Sequence, residues 1–230
     1  MDSPVDLAAV QALSPLLVSD YAVGEHVDWP LLSRLWGTGF PSDYVAFMSA
    51  YGAGGISDAF EVLRPDGSFT GDSDGMAAET ANARAMWPSA SRPVEGFSAP
   101  KIPVIAWGVT AGADVVCWLT GNENPDRWPV VVVSRDGFSR WESYECGMVE
   151  FLRRVFSGEL DACPFSDATL WRTGEQKFVH WKEERRLLES GVDPWTGEPD
   201  PLAGMLRLSS GRSRREERLP HAGVCPRDDD

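Results

Sequence analysis

Hydrophobic and polar positions alternate between two periods along this chain, and the change of period outlines its architecture. Tyr44, Phe47, Met48 and Tyr51 follow i, i+3, i+4, i+7, one face of a helix. Pro41 suits a first-turn position, because its missing N–H would find no intrahelical partner. Ser42 and Asp43 supply an acceptor and a negative charge near the positive helix end. Gly52 is placed to adopt the left-handed conformation that closes a helix. Upstream, Leu7 to Leu17 reads as a short helix. A second runs from Asp28 to Trp36, with Asp28 as N-cap, Pro30 in the first turn, and Leu31, Leu32, Leu35 and Trp36 as its expected buried face.

The strand period appears at Phe60-Glu61-Val62-Leu63, stopped by the turn Pro65-Asp66-Gly67. Met76 to Trp87 is an Ala-rich helix for which Asp72 or Asp74 is a cap. After a loop with Pro93, Pro100 and Pro103 come four strands in quick succession: Val104–Val109, Asp114–Leu119, Val130–Val133 and Arg140–Tyr144. Their short links, Ala111-Gly112-Ala113, the polar loop 121–127 and Arg135-Asp136-Gly137, imply an antiparallel meander. The four valines suit a central strand covered on both faces. Met148 to Phe156 is a helix ended by Gly158, and a charged helix is expected around Glu175–Ser190, with Phe178, Trp181, Leu187 and Leu188 as its apolar stripe.

Helices beside a block of adjacent strands give an α+β fold, an antiparallel sheet meander with helices packed on one face. The expected organisation is an N-terminal helical extension (1–27), a main domain (28–160), a C-terminal helical extension (161–208) and a polar, disordered tail (209–230). The tryptophans inside predicted strands, Trp107, Trp118 and Trp141, are expected in the core.

Charge narrows the partners. The 230 residues carry a formal net charge of −14. Residues 1–205 hold 30 acidic and 15 basic side chains, net −15, and residues 206–230 hold 5 acidic and 6 basic, net +1, so the acidity belongs to the folded part. Such a surface repels phosphate backbones, which argues against nucleic acid, and speeds encounter with a basic protein. Cys117, Cys146, Cys163 and Cys225 form no Cys-x-x-Cys pair, as suits a reducing cytosol, and Cys117 lies in an apolar run as a small buried side chain. Met1–Asp6 lacks the basic start of a secretory signal, and no apolar run approaches the ~18 residues that span a bilayer. The expected location is cytoplasmic, without a membrane partner.

The residues that would run a reaction are not apparent. There is no Gly-x-Ser-x-Gly elbow, and the three histidines, His26, His180 and His221, have no metal-ligand spacing. His180, beside Trp181 on the expected helix, reads as a surface or hydrogen-bonded residue. Asp72-Ser73-Asp74-Gly75 opens like a calcium loop but continues with Met76 where a ligand is needed, so capping explains it better. The glycines at 37–39 and 52–55 complete no dinucleotide fingerprint. No catalytic, cofactor-binding or metal-binding residue is assigned, no cofactor is expected, and the chain reads as a non-enzyme.

In order along the chain, Phe40-Pro41-Ser42-Asp43-Tyr44-Val45-Ala46-Phe47 and Tyr51-Gly52-Ala53-Gly54, then Trp107-Gly108, Gly112-Ala113-Asp114 and Trp118, then Val130–Val133 and the helix Met148–Phe156, resemble the SUKH superfamily, named in part for the yeast Smi/Knr-type cell-wall regulators. The likeness covers about residues 28–160. Tyr51 replaces the family's Asn before Gly, and the C-terminal third has no counterpart. The resemblance implies a non-catalytic α+β binding domain of the type found in bacterial immunity proteins, which neutralise a toxin, often a basic nuclease or deaminase. The family's partner-binding residues vary, so none is carried over. Expected contacts for a basic effector are instead the acids in predicted turns and loop edges, Asp66, Asp72, Asp74, Asp114, Glu123 and Asp126. The alternatives are a regulatory scaffold of the cell-wall or signalling type and, behind it, a carbohydrate-binding or hydrolase domain. Partner identity and oligomeric state are left open.

Overall fold

The computed structural model describes residues 7–20, 24–65, 75–86, 103–134 and 141–200. Their order is α1 (Leu7–Leu13), β1 (Leu17–Val18), α2 (Trp29–Trp36), α3 (Ser42–Ala50), β2 (Gly54–Ile56), β3 (Phe60–Val62), α4 (Met76–Met86), β4 (Val104–Thr110), β5 (Val115–Leu119), β6 (Val130–Val133), β7 (Trp141–Tyr144), α5 (Met148–Ser157), β8 (Gln176–His180) and α6 (Trp181–Ser190). The class is α+β, as expected. Among the described residues, eight strands form one sheet in the order β1-β8-β2-β3-β4-β5-β6-β7. From β2 to β7 successive strands pair antiparallel; the links β2–β3, β4–β5, β5–β6 and β6–β7 are too short for a crossover, whereas β3 and β4 are joined by a long segment that contains α4. β1 pairs with β8 in parallel, and β8 pairs with β2 antiparallel.

The local signals at the helix ends act as the residue chemistry dictates. Asp28 caps α2, its carboxylate accepting from Leu31 N–H at 2.9 Å. Pro41 stands one position earlier than expected, as N-cap of α3. Tyr44, Phe47, Met48 and Tyr51 are buried, and Gly52 takes φ +77° after the last turn. Val130 to Val133 are buried on both faces, although β6 is next to the sheet's edge rather than at its centre. Trp107, Trp118, Trp141 and Cys117 lie in the core. Burial pushes the Cys117 thiol well above its ordinary value.

Three expectations are corrected. The first helix stops at Leu13, and Leu17 and Val18 are a strand. Gly54 and Gly55, read as the end of a glycine cluster, form with Ile56 a fully buried strand. Gln176–His180, read as helix, is β8; Phe178 is buried in the sheet and α6 begins only at Trp181 with no buried residue. β1 and β8 thus lie on either side of the expected 28–160 domain in sequence and within its sheet in space. The chain divides into two compact units, the first ending at Glu184 and the second beginning at Arg185. In the first, α1 packs on α3 and α5, and α4 on β4. In the second, beyond the rest of α6, a turn is closed by Asp193, whose carboxylate accepts from Trp195 and Thr196 N–H, and by the bridge between Val192 and Pro199. The expected turn at 135–137, the caps Asp72 and Asp74, and the tail 209–230 lie outside the described residues.

Candidate interaction surface

The surface is assembled from the α2 stripe outward. Residues 29, 32, 33 and 36 turn inward, so that Leu32 is buried while Trp29 and Trp36 are half-buried. Leu31 and Leu35 occupy the opposite side and are 43% and 51% exposed. The expected buried face 31/32/35/36 is therefore wrong by part of a turn. The two tryptophans, larger than leucine, take the inward side because rings are waiting there. Trp29 and Trp36 meet Phe40 at 5.5 and 6.3 Å between centroids, and Trp29 meets Tyr44 edge-on at 5.9 Å. Phe40 and Tyr44 in turn meet Trp118 of β5 at 6.5 and 4.9 Å. Each such ring pair adds about 0.5–1.5 kcal/mol beyond area burial, which leaves the leucines facing water.

The same aromatic chain brings in the loop 121–127. Trp118 meets Trp128 at 6.5 Å, and Trp128 Nε1 donates to the Asn122 carbonyl at 2.6 Å. Asn124 caps the 3₁₀ turn Pro125–Arg127, and Asp126 accepts from Ser42 N–H at 2.6 Å, supplying from another loop the cap that Pro41 cannot give α3. Gly39, in the link that follows α2, lies against Pro125. The α2–α3 connection and this polar loop are therefore neighbours. Glu123 and Asp126 are exposed there, as is Asp28 at the start of α2.

Of the six acids expected to meet a partner, Glu123 and Asp126 come together on this surface. Asp126 is also a structural cap. Asp114 is corrected: it is fully buried, and its carboxylate accepts from Ser166 N–H and Oγ at 2.7 and 2.8 Å, fixing the 161–170 loop to the β4–β5 hairpin. A turn position reads as exposed in sequence, and nothing local signals the loop that covers it. Asp66, Asp72 and Asp74 lie outside the described residues. Reasoning from sequence missed Leu31 and Leu35 as surface residues. The spacing of Trp29, Leu32 and Trp36 marks one apolar side of α2 and that of Leu31 and Leu35 another, and spacing alone does not say which meets the core.

A cleft of about 160 Å³ beside the loop is lined by Pro41, Asp43, Asp126, Trp128 and Glu150. Its acids are engaged: Asp43 accepts from Val149 N–H, Asp126 from Ser42 N–H, and Glu150 from Arg153 and Arg154. Arg153 in particular, helped by Arg154, holds the Glu150 carboxyl down to about 2. Among the described residues no group of three or more His, Cys, Asp or Glu is placed to hold a metal ion, and no helix is long and apolar enough to cross a membrane. No family model, no curated protein and no solved structure matches this chain.

Proposed function

We propose that this chain is a non-catalytic protein-binding module that grips a basic protein through the outer face of α2 and the neighbouring loop 121–127. One observation carries the reading: two leucines one turn apart stand half in water on a helix whose inward side is already filled. Burying the exposed half of two leucine side chains against a partner is worth about 1.5–3 kcal/mol, whereas an exposed ion pair contributes ~0–1 kcal/mol. The leucines therefore supply affinity, and the acids supply encounter rate and choice of partner. The choice is for a basic partner, because the described residues up to Glu184 hold 19 acidic and 9 basic side chains, net −10.

The resemblance of residues 28–160 to SUKH domains supports a toxin-neutralising role, with a basic nuclease or deaminase as the effector. An acidic cover over a nucleic-acid cleft blocks the substrate's own binding charge. The cytosol is the compartment that suits such a pairing.

The test is capture by the immobilised full chain, followed by affinity measurement on each purified partner. The expected result is a basic protein whose affinity falls as salt rises from 50 to 500 mM and falls at least 100-fold with the double substitution Leu31→Asp, Leu35→Asp. A tightest partner that is neutral, or one indifferent to the double substitution, overturns the reading. Several partners of unrelated charge would support a regulatory scaffold instead, and turnover of a small compound, abolished by one point change, would support an enzyme.

A further inference from the structure

His180 is the last residue of β8 and stands immediately before α6. It is 2% exposed. Its Nδ1 accepts a hydrogen bond from Lys182 N–H at 3.2 Å, so the proton of the neutral ring sits on Nε2. That Nε2 is buried and has no hydrogen-bond partner among the described residues. A buried N–H left in this way costs about 1–3 kcal/mol and calls for a reason. The Nδ1 contact gives one: it is an N-cap, a side-chain acceptor satisfying the second N–H of a helix.

We propose that His180 is an acid-released cap, holding the first turn of α6 when neutral and letting it go when protonated. A second proton can only enter at Nδ1. It turns the acceptor into a donor, so that Nδ1–H faces Lys182 N–H. It also places positive charge at the positive end of a helix. Trp181, half-buried against the core, anchors the start of α6, but no residue of the helix is fully buried, and ten residues are too few for a helix to stand on propensity alone. Loss of the cap is therefore felt in the turn itself.

The groups around the ring set the direction. Trp181 stacks on it, at 5.9 Å and 28° between rings. Glu25, from the segment before α2, holds Trp181 Nε1 at 2.8 Å and favours the imidazolium. Lys182, 3.9 Å from Glu25, opposes it, and its ammonium also lies over the Trp181 ring, as does the guanidinium of Arg64, which follows β3. Burial is the largest influence, and it lowers the His180 value below its ordinary 6.5. The stability that the neutral ring contributes is thus full above pH 6.5 and declines as the pH falls from there, and the cap itself is released in the folded chain at the depressed value.

The experiment is nuclear magnetic resonance of the labelled full chain from pH 8 to 5. The His180 imidazole carbons report its titration. With the same midpoint, the Lys182 amide is expected to lose about fivefold in exchange protection, corrected for the intrinsic pH effect, as a cap of ordinary strength implies. The Cα shifts of Trp181 to Glu184 should move toward coil values in parallel. His180→Asn, an acceptor that does not titrate, should keep the helix and remove the pH dependence. Imidazole titration without change at Lys182, the same pH dependence in His180→Asn, or a ring that stays neutral until the whole chain unfolds would each overturn the proposal.

Discussion

The carboxylate of Asp43 accepts a hydrogen bond from Val149 N–H at 3.0 Å, joining the first turn of α3 to the first turn of α5 across 106 residues of sequence. α5 has Gly147 at its N-cap, which has no side chain to offer. Asp43 provides the missing acceptor from outside, and its other oxygen meets Tyr44 N–H at 2.8 Å. Gly147 is required by the same contact, since a Cβ there would lie 2.5 Å from Asp43 Oδ2.

Asp43→Ala should therefore cost about 1–2 kcal/mol of unfolding free energy, the upper part of the range for a lost cap. Gly147→Ala should cost a similar amount by pushing the carboxylate aside. Urea denaturation of the two single variants and the double variant checks both. Because both changes break one contact, their effects should fall short of additive.

The two sides of α2 should respond differently. Leu32→Ala, in the core, is expected to cost about 2–4 kcal/mol. Leu31→Ala and Leu35→Ala should each stay within about 0.5 kcal/mol. Thermal unfolding of the three variants separates them. Equal losses at all three positions would remove the basis for the proposed binding face.

Asp114→Ala should leave Ser166 N–H without its acceptor, at a cost of about 2 kcal/mol. The loop 161–170 should then become a new site of limited proteolysis, absent from the parent chain. Mass spectrometry of the early fragments reads this directly.

Acid should weaken α5 in a defined window. Glu150 is held down to about 2 by Arg153 and Arg154, from an ordinary 4.5. A carboxylate lowered in the folded state adds stability that is full above pH 4.5 and is lost as the pH falls toward 2. The ion pairs are partly exposed, so the loss is at most about 1 kcal/mol. Glu150→Gln should flatten the stability profile in that interval, measured by urea titration at stepped pH.

Local physics was legible wherever the decisive partners are close in sequence. The cap at Asp28, the buried face of α3, the end of α5 at Gly158 and the four strands β4 to β7 all follow from spacings of a few residues. The segment 176–180 misled because lysine, glutamates and arginines close by favour a helix. Its membership of the sheet is set by β1 and β2, residues 17–18 and 54–56, which no window around it contains. Of the proposed binding face, the acids Glu123 and Asp126 could be found as loop residues. The leucines could not, because periodicity identifies an apolar side without saying which of two apolar sides meets the core.

The chain by itself determined its class, the succession of strands from β4 to β7, the start of α2, the end of α5 and its negative charge, since short-range geometry and composition are fixed once the residues are written down. Only the tertiary structure decided that Asp114 is covered, that Leu31 and Leu35 are not, and that an imidazole ends β8 where α6 needs an acceptor. Burial belongs to a pair of surfaces, and one of each pair here comes from more than a few turns away in sequence.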